Sequence, residues 1–427
     1  MRTAWMVLLS IGTAALLGVI VQLSNGPDAN AHELARPQPI ELLPPTGPLS
    51  VGRTSFYWVD AAREPQAAEP KEKRECVAQI WYPAELSPDN GPAAYIPGFE
   101  KILAAVGEPK IREEAGGAFD ALSTARTHVV EDAPVRDDSG KYPVLMLVHG
   151  LRFHALGYSM LAEELASHGY VVVGVDLTPI AFATLLSDGR VSRFPEALWT
   201  QRRTREETSA FEREIVNACA ADLRFALDRL AMLDSGQTPS RFQSQLDMER
   251  VGIIGHSFGG RIAARVCQLD SRLKAVAILD SFGRVMTVER NADGSTLARP
   301  AIVQYARRVP KSGVARLLAL AQNGGKDLEE ELAHVRKEFC ESVRAASYEV
   351  TFSTRGIIHE SFSDMPLLDG EQSGDARKEH ERTMQLIRDY TRAFFDRHVC
   401  SRPAPLLDQR PDASAEVTFA RHTFRAK

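Results

Sequence analysis

The sequence predicts an α/β fold: a mostly parallel central sheet with helices on both faces. Short, continuously apolar runs at 144–148, 171–175, 251–255 and 275–279 alternate with helix-like stretches. Strands covered on both faces are apolar throughout, whereas half-buried strands alternate. Between the second and third runs, Phe211, Ile215, Cys219, Leu223, Leu227 and Leu230 recur every three or four residues and mark the core stripe of a long helix over 208–233. With 427 residues, 44% hydrophobic and 25% charged, the chain can bury a substantial core in one elaborated domain.

Along the chain, Arg2 precedes an uncharged apolar run at 4–21, and Ala29-Asn30-Ala31 offers small residues for a signal-peptidase cut before His32. The run is also long enough to stay as an uncleaved anchor. Residues 1–31 are therefore expected to be a signal peptide or signal anchor, which places the protein outside the cytoplasm, exported or membrane-anchored. No early cysteine supports a lipid-modified amino terminus. Residues 32–49, with Pro37, Pro39, Pro44, Pro45 and Pro48, are expected to be an extended linker. The catalytic domain is expected over 50–400 and a polar tail over 401–427.

Within that domain, 51–60 and 76–82 predict an antiparallel strand pair at one sheet edge. Residues 83–140 are Pro/Gly-rich and read as irregular, with one short helix near 102–106. Helices are then expected up to Ser167 and over 258–267 and 375–397, with strands at 300–305 and 347–353 completing the sheet. No internal repeat is present.

Charge and cysteines narrow the partners. A net charge of -5 offers no electrostatic reason for nucleic acid, and basic runs such as Arg202-Arg203-Thr204-Arg205 read as solvated faces. The five cysteines cannot all pair within one chain. Cys340 with Cys400 is a candidate disulfide in an oxidising compartment, while Cys219 and Cys267 read as buried thiols. None has zinc-ligand spacing, no His-Glu-x-x-His cluster is present, and neither metal nor cofactor is expected.

The chemistry concentrates in Gly255-His256-Ser257-Phe258-Gly259-Gly260, between an apolar strand and an amphipathic helix. A serine at such a turn is held in a strained conformation with its hydroxyl presented at the sheet's carboxyl edge. The tightness of the turn requires small residues two before and two after, here Gly255 and Gly259, and Gly260 lets the helix pack close. The same Gly-x-Ser-x-Gly spacing in an ordinary βα turn is the alternative, and the flanking strand and helix argue against it. This elbow is the nucleophile signature of the α/β-hydrolase fold.

Serine needs a base, and the base needs an orienting acid, in the chain order Ser, Asp, His for this fold. His334, His380 and His398 lie in polar helical stretches and read as surface residues, and His422 falls in the tail. His359 follows a predicted strand in a loop at 355–362, where the base belongs. Asp280 ends the strand after the nucleophile helix and is the candidate acid. Asp270, at a helix end, and Asp364, close to His359 in sequence, compete with it. The oxyanion formed on attack needs N–H donors. The backbone N–H groups of Phe258 and Leu151 are the candidates, and the side chains around His149-Gly150-Leu151 are expected to matter less than the backbone.

These residues resemble the platelet-activating-factor acetylhydrolases of the plasma and intracellular type II kind and their bacterial relatives. The likeness rests on Tyr142-Pro143 through His149-Gly150-Leu151, Leu165-Ala166-Ser167-His168-Gly169-Tyr170, the elbow, and residues 355–364, with Tyr95-Ile96-Pro97 as a further landmark. The 23-residue interval from Ser257 to Asp280 also fits. The resemblance covers about residues 50–398 and implies a calcium-independent esterase that removes short or oxidised acyl groups from phospholipids, working at a lipid interface. Residues 178–204 have no counterpart there. Their Ile180, Phe182, Leu185 and Leu186 could form a lid, an acyl-pocket wall or ordinary packing.

Two other readings stand beside this one. A general carboxylesterase or cutinase-like polyester hydrolase would use the same fold, although such enzymes usually carry the acid later in the chain. A secreted binding module would need none of the serine, acid, base or elbow glycines.

Overall fold

The computed structural model describes residues 40–425 apart from 64–73, 87–90, 139, 202, 282–289, 292, 308–327, 371, 373 and 409–415. The signal or anchor expectation for 1–31 and the first part of the linker therefore lie outside the described residues.

The strands are β1 (Val51–Asp60), β2 (Arg74–Pro83), β3 (Val129–Glu131), β4 (Tyr142–Val148), β5 (Val171–Asp176), β6 (Ala183–Leu185), β7 (Val191–Arg193), β8 (Leu246–His256), β9 (Leu273–Leu279), β10 (Ala301–Ala306), β11 (Ser347–Phe352) and β12 (Val417–His422). Ten of them form one sheet in the order β12-β11-β10-β9-β8-β4-β5-β2-β1-β3. The six central strands from β11 to β5 run parallel, and β2 and β1 follow as the expected antiparallel pair. This is the α/β-hydrolase arrangement the sequence predicts.

The central strands divide their apolar side chains between the two faces by period-two alternation. Leu145, Leu147, Val172 and Ile254 point into one core, with Leu161, Leu165 and Phe394 from α4 (Ser159–Ser167) and the carboxyl-terminal helix Gly374–His398. Val144, Met146, Val171, Val173 and Ile253 point into the other, packed on α6 (Arg205–Asp234) and α7 (Phe258–Leu269). Each such buried side chain contributes about 1.5–3 kcal/mol. The long helix starts three residues before the expected position 208 because Thr204 and Glu207 form a reciprocal capping box.

Four expectations are corrected. Residues 83–140 carry more helix than the one short stretch expected: α1 (Phe99–Val106), α2 (Glu108–Ala115) and α3 (Phe119–Thr124) lead into β3. Buried Arg53 holds this insert by donating to the carbonyls of Ala94 and Tyr95 and to Glu131. The polar tail is partly structural, since 417–422 pair antiparallel with β11 as the outermost strand.

The end of the linker is also seated on the domain. Thr46 donates to Glu164, and buried Arg388 holds the carbonyls of Leu43 and Pro44. Cys340 and Cys400 do not pair. All five cysteines are free thiols, with Cys340 directed at the Tyr348 carbonyl and Cys400 at the Tyr170 hydroxyl. Cys219 and Cys267 are buried, as expected.

Residues 178–204 form the two-stranded β6–β7 ribbon and α5 (Glu196–Thr200). Ile180 and Leu186 are buried in it, while Phe182 and Leu185 line a cavity described below. Among the described residues no helix is long and apolar enough to cross a membrane.

Candidate active site

The turn from β8 to α7 places Ser257 at φ 54°, ψ -123°, a region that non-glycine residues avoid. Such strain costs of order 1–3 kcal/mol and persists only when the surroundings enforce it. Here they do: the Ser257 N–H donates to the Leu279 carbonyl at 2.9 Å, and Ser281 Oγ donates to the Ser257 carbonyl at 2.6 Å. A Cβ on Gly255 would stand 2.2 Å from the Gly259 carbonyl oxygen, and one on Gly259 2.4 Å from that of Val148. A Cβ on Gly260 would stand 2.7 Å from Ser281 Oγ. The glycines are required by contact, as the motif predicts.

Asp280 leaves β9 at φ 42°, with its N–H bonded to the Gln304 carbonyl and its Oδ1 accepting from Ala306 N–H. Its other oxygen, Oδ2, lies 2.6 Å from His359 Nδ1. His359 Nε2 lies 2.8 Å from Ser257 Oγ. Residues separated by 102 and 79 positions thus form one hydrogen-bonded chain at the carboxyl edge of the sheet. With Nδ1–H donating to the carboxylate, Nε2 is left as the acceptor for the serine proton.

The competitors are engaged elsewhere. Asp270 is held below the usual carboxylate range by its hydrogen bond to Arg272. Asp364 is fully buried, accepts from Met160 N–H and the Tyr95 hydroxyl, and burial pushes its carboxyl up to about 7. It ties the Tyr95 landmark to α4.

Among the other histidines, His334 is exposed as expected. His380 and His398 are half-buried rather than on the surface, and the His398 ring packs on Tyr348 and Phe394. His422 belongs to the edge strand and pairs with Glu349.

No described residue accepts from the N–H of Leu151 or Phe258. The peptide that carries the Leu151 N–H is nonetheless fixed by side chains. His149 Nδ1 lies 2.8 Å from the Gly150 carbonyl, and its Nε2 accepts from Leu177 N–H. Burial pushes this ring down to about 4, so it is neutral. Tyr158 Oη accepts from Gly150 N–H at 3.0 Å and lies 2.7 Å from His256 Nδ1. Side chains thus hold in place the backbone that carries the candidate donor. His149 and His256 were visible inside the quoted motifs, whereas nothing in the spacing marked Tyr158.

One group of potential metal ligands occurs among the described residues: Cys340, Glu349 and His422, within 4.8 Å of one another. It fits an ion-pair network better than a metal. His422 and the Tyr305 hydroxyl already bond Glu349, and the Arg336 guanidinium supplies a cation 3.8 Å away.

Residues 40–399 match the family platelet-activating factor acetylhydrolase, isoform II. The chain belongs to this family. Family relatives include the platelet-activating factor acetylhydrolase of Bos taurus, 24% identical over 48% of this chain and 49% of that protein. That of Gallus gallus is 21% identical over 55% of each. The chain thus spans about half the length of the relatives it matches. Among solved structures, ferulic acid esterase from Streptomyces cinnamoneus superposes with a TM-score of 0.67 at 27% identity, over 90% of this chain and 99% of that one.

Proposed function

We propose that the protein is a serine carboxylic-ester hydrolase, carried above all by the hydrogen-bonded chain from Ser257 through His359 to Asp280. His359 Nε2 takes the Ser257 proton as Oγ attacks the ester carbonyl. The tetrahedral oxyanion is held by the N–H groups of Leu151 and Phe258. His359 then protonates the departing alcohol, and water, deprotonated by the same imidazole, releases the acid from the acyl-enzyme. Asp280 keeps the ring in the required tautomer and stabilises the imidazolium.

Family membership supports short or oxidised acyl groups of phospholipids as the substrate class. A cavity of about 390 Å³ opens on the β1–β2–β5 side, and none of Ser257, His359, Asp280, Leu151 and Phe258 lines it. Its walls include Phe99, Ile102, Leu122 and Phe182, with His154 and Asp176 as polar lining. A general carboxylesterase is the second reading, favoured by the near full-length likeness to ferulic acid esterase. Export through residues 1–31 belongs to the same proposal, and mass spectrometry of the native amino terminus tests it.

The deciding experiment compares wild type with Ser257→Ala. The variant should fold and lose roughly a millionfold in p-nitrophenyl acetate hydrolysis, whereas substantial turnover removes Ser257 from its role. A panel of phospholipids with short, oxidised and long second-position chains, beside phenolic and polymeric esters, separates the two substrate readings.

A further inference from the structure

The structure assigns Tyr158 and His256 a role beyond packing: they are positioning residues that lock the oxyanion loop to the loop of the base. Two hydrogen bonds on His256 fix its tautomer. Its Nε2 lies 3.1 Å from the His359 carbonyl, an acceptor only, so Nε2 carries the proton. Its Nδ1 is then the acceptor and takes the Tyr158 hydroxyl proton at 2.7 Å. With that proton committed, Tyr158 Oη serves as acceptor for Gly150 N–H at 3.0 Å. The direction is therefore set along the whole chain, from Gly150 N–H to Tyr158, to His256, to the backbone of His359.

This chain joins three segments that the reaction must hold in register. Gly150 precedes the donor Leu151, His256 precedes the nucleophile, and His359 is the base. Both side chains are buried, and the His256 ring is stacked by Phe362 at 5.9 Å and met edge-on by Phe153 at 6.0 Å, so neither partner can turn away. A buried hydrogen-bond chain with every member satisfied specifies one geometry. Neither residue touches the reacting atoms. Their contribution is to keep the Leu151 N–H aimed at the oxyanion while His359 moves its proton.

The inference rests on the triad reading above, and the test separates the two. Tyr158→Phe deletes one oxygen and keeps the ring. We expect kcat for p-nitrophenyl acetate to fall about 10- to 100-fold with KM within about twofold, because oxyanion donors act in the transition state. Affinity for a trifluoromethyl ketone, which forms a tetrahedral adduct, should fall in proportion to kcat. His256→Gln is the second variant, should the first fail to fold, with the same pattern expected. In the double variant the losses should not multiply, since either change breaks the same chain.

A kcat within twofold of wild type, a loss confined to KM, or an unchanged ketone affinity overturns the positioning role. Activity retained by Ser257→Ala would instead overturn the triad on which it rests.

Discussion

Around Ser257 the chain is held by its backbone: the elbow carbonyl and N–H are bonded to Ser281 and Leu279, and two glycines stand where a Cβ would meet a carbonyl oxygen. The cover formed by α1–α3 and the β6–β7 region is held differently. Arg152 reaches from the oxyanion loop to Glu114 on α2 and to Glu196 on α5, Lys110 lies 3.6 Å from both carboxylates, and the Arg152 guanidinium sits over the Phe194 ring. These groups are partly exposed, and such pairs contribute about 0–1 kcal/mol each. Ser257 and its neighbours are thus set by steric rules that admit few substitutions. The α1–α3 and β6–β7 region is joined instead by partly exposed ion pairs, which constrain side-chain identity less.

The largest loss is expected at Asp280. Asp280→Asn should lower kcat about ten-thousandfold by favouring the wrong tautomer of His359; a variant with full activity would move the acid elsewhere. The elbow follows. Gly259→Ala drives a methyl against the Val148 carbonyl and should destabilise the fold by about 1–3 kcal/mol, read as a lower midpoint in urea. An unchanged midpoint would mean that the turn is less constrained than its contacts indicate.

The cover should respond mildly. Glu114→Gln should leave kcat within about threefold and act mainly on KM, in line with an exchangeable surface pair. A collapse of kcat would show that the cover also sets the chemistry.

A fourth prediction concerns pH. The carboxyl of Asp364, raised to about 7 by burial, favours the fold when protonated. Its contribution is fully present below the unfolded value of about 3.9 and is lost as pH rises through the folded value. Asp176, likewise raised to about 7, adds a parallel loss. Between pH 5 and 8 the melting temperature of Asp364→Asn should fall less than that of wild type, and equal slopes would contradict the assignment.

The same contrast explains what was legible in the sequence. The six parallel strands, α7 and the meeting of Ser257, His359 and Asp280 follow from local rules: continuous apolar runs, the steric demands of the elbow, and the chain order of serine, acid and histidine. The helices at 99–124 are short, and buried Arg53 secures the insert they belong to from a strand more than forty residues away, so composition alone reads as irregular. The edge strand β12 is polar because it is paired on one side only, against β11, which makes it look like a tail. Tyr158 could not be singled out, because its partners Gly150 and His256 become neighbours only when β4 and β8 pair.

In the proposed mechanism one hydroxyl among all those in the chain, that of Ser257, is activated by its surroundings. A stoichiometric fluorophosphonate, followed by peptide mapping, tests it most directly. A single adduct on Ser257 is expected, formed in step with the loss of esterase activity. An adduct on another residue, or full inactivation with Ser257 unlabelled, would contradict it.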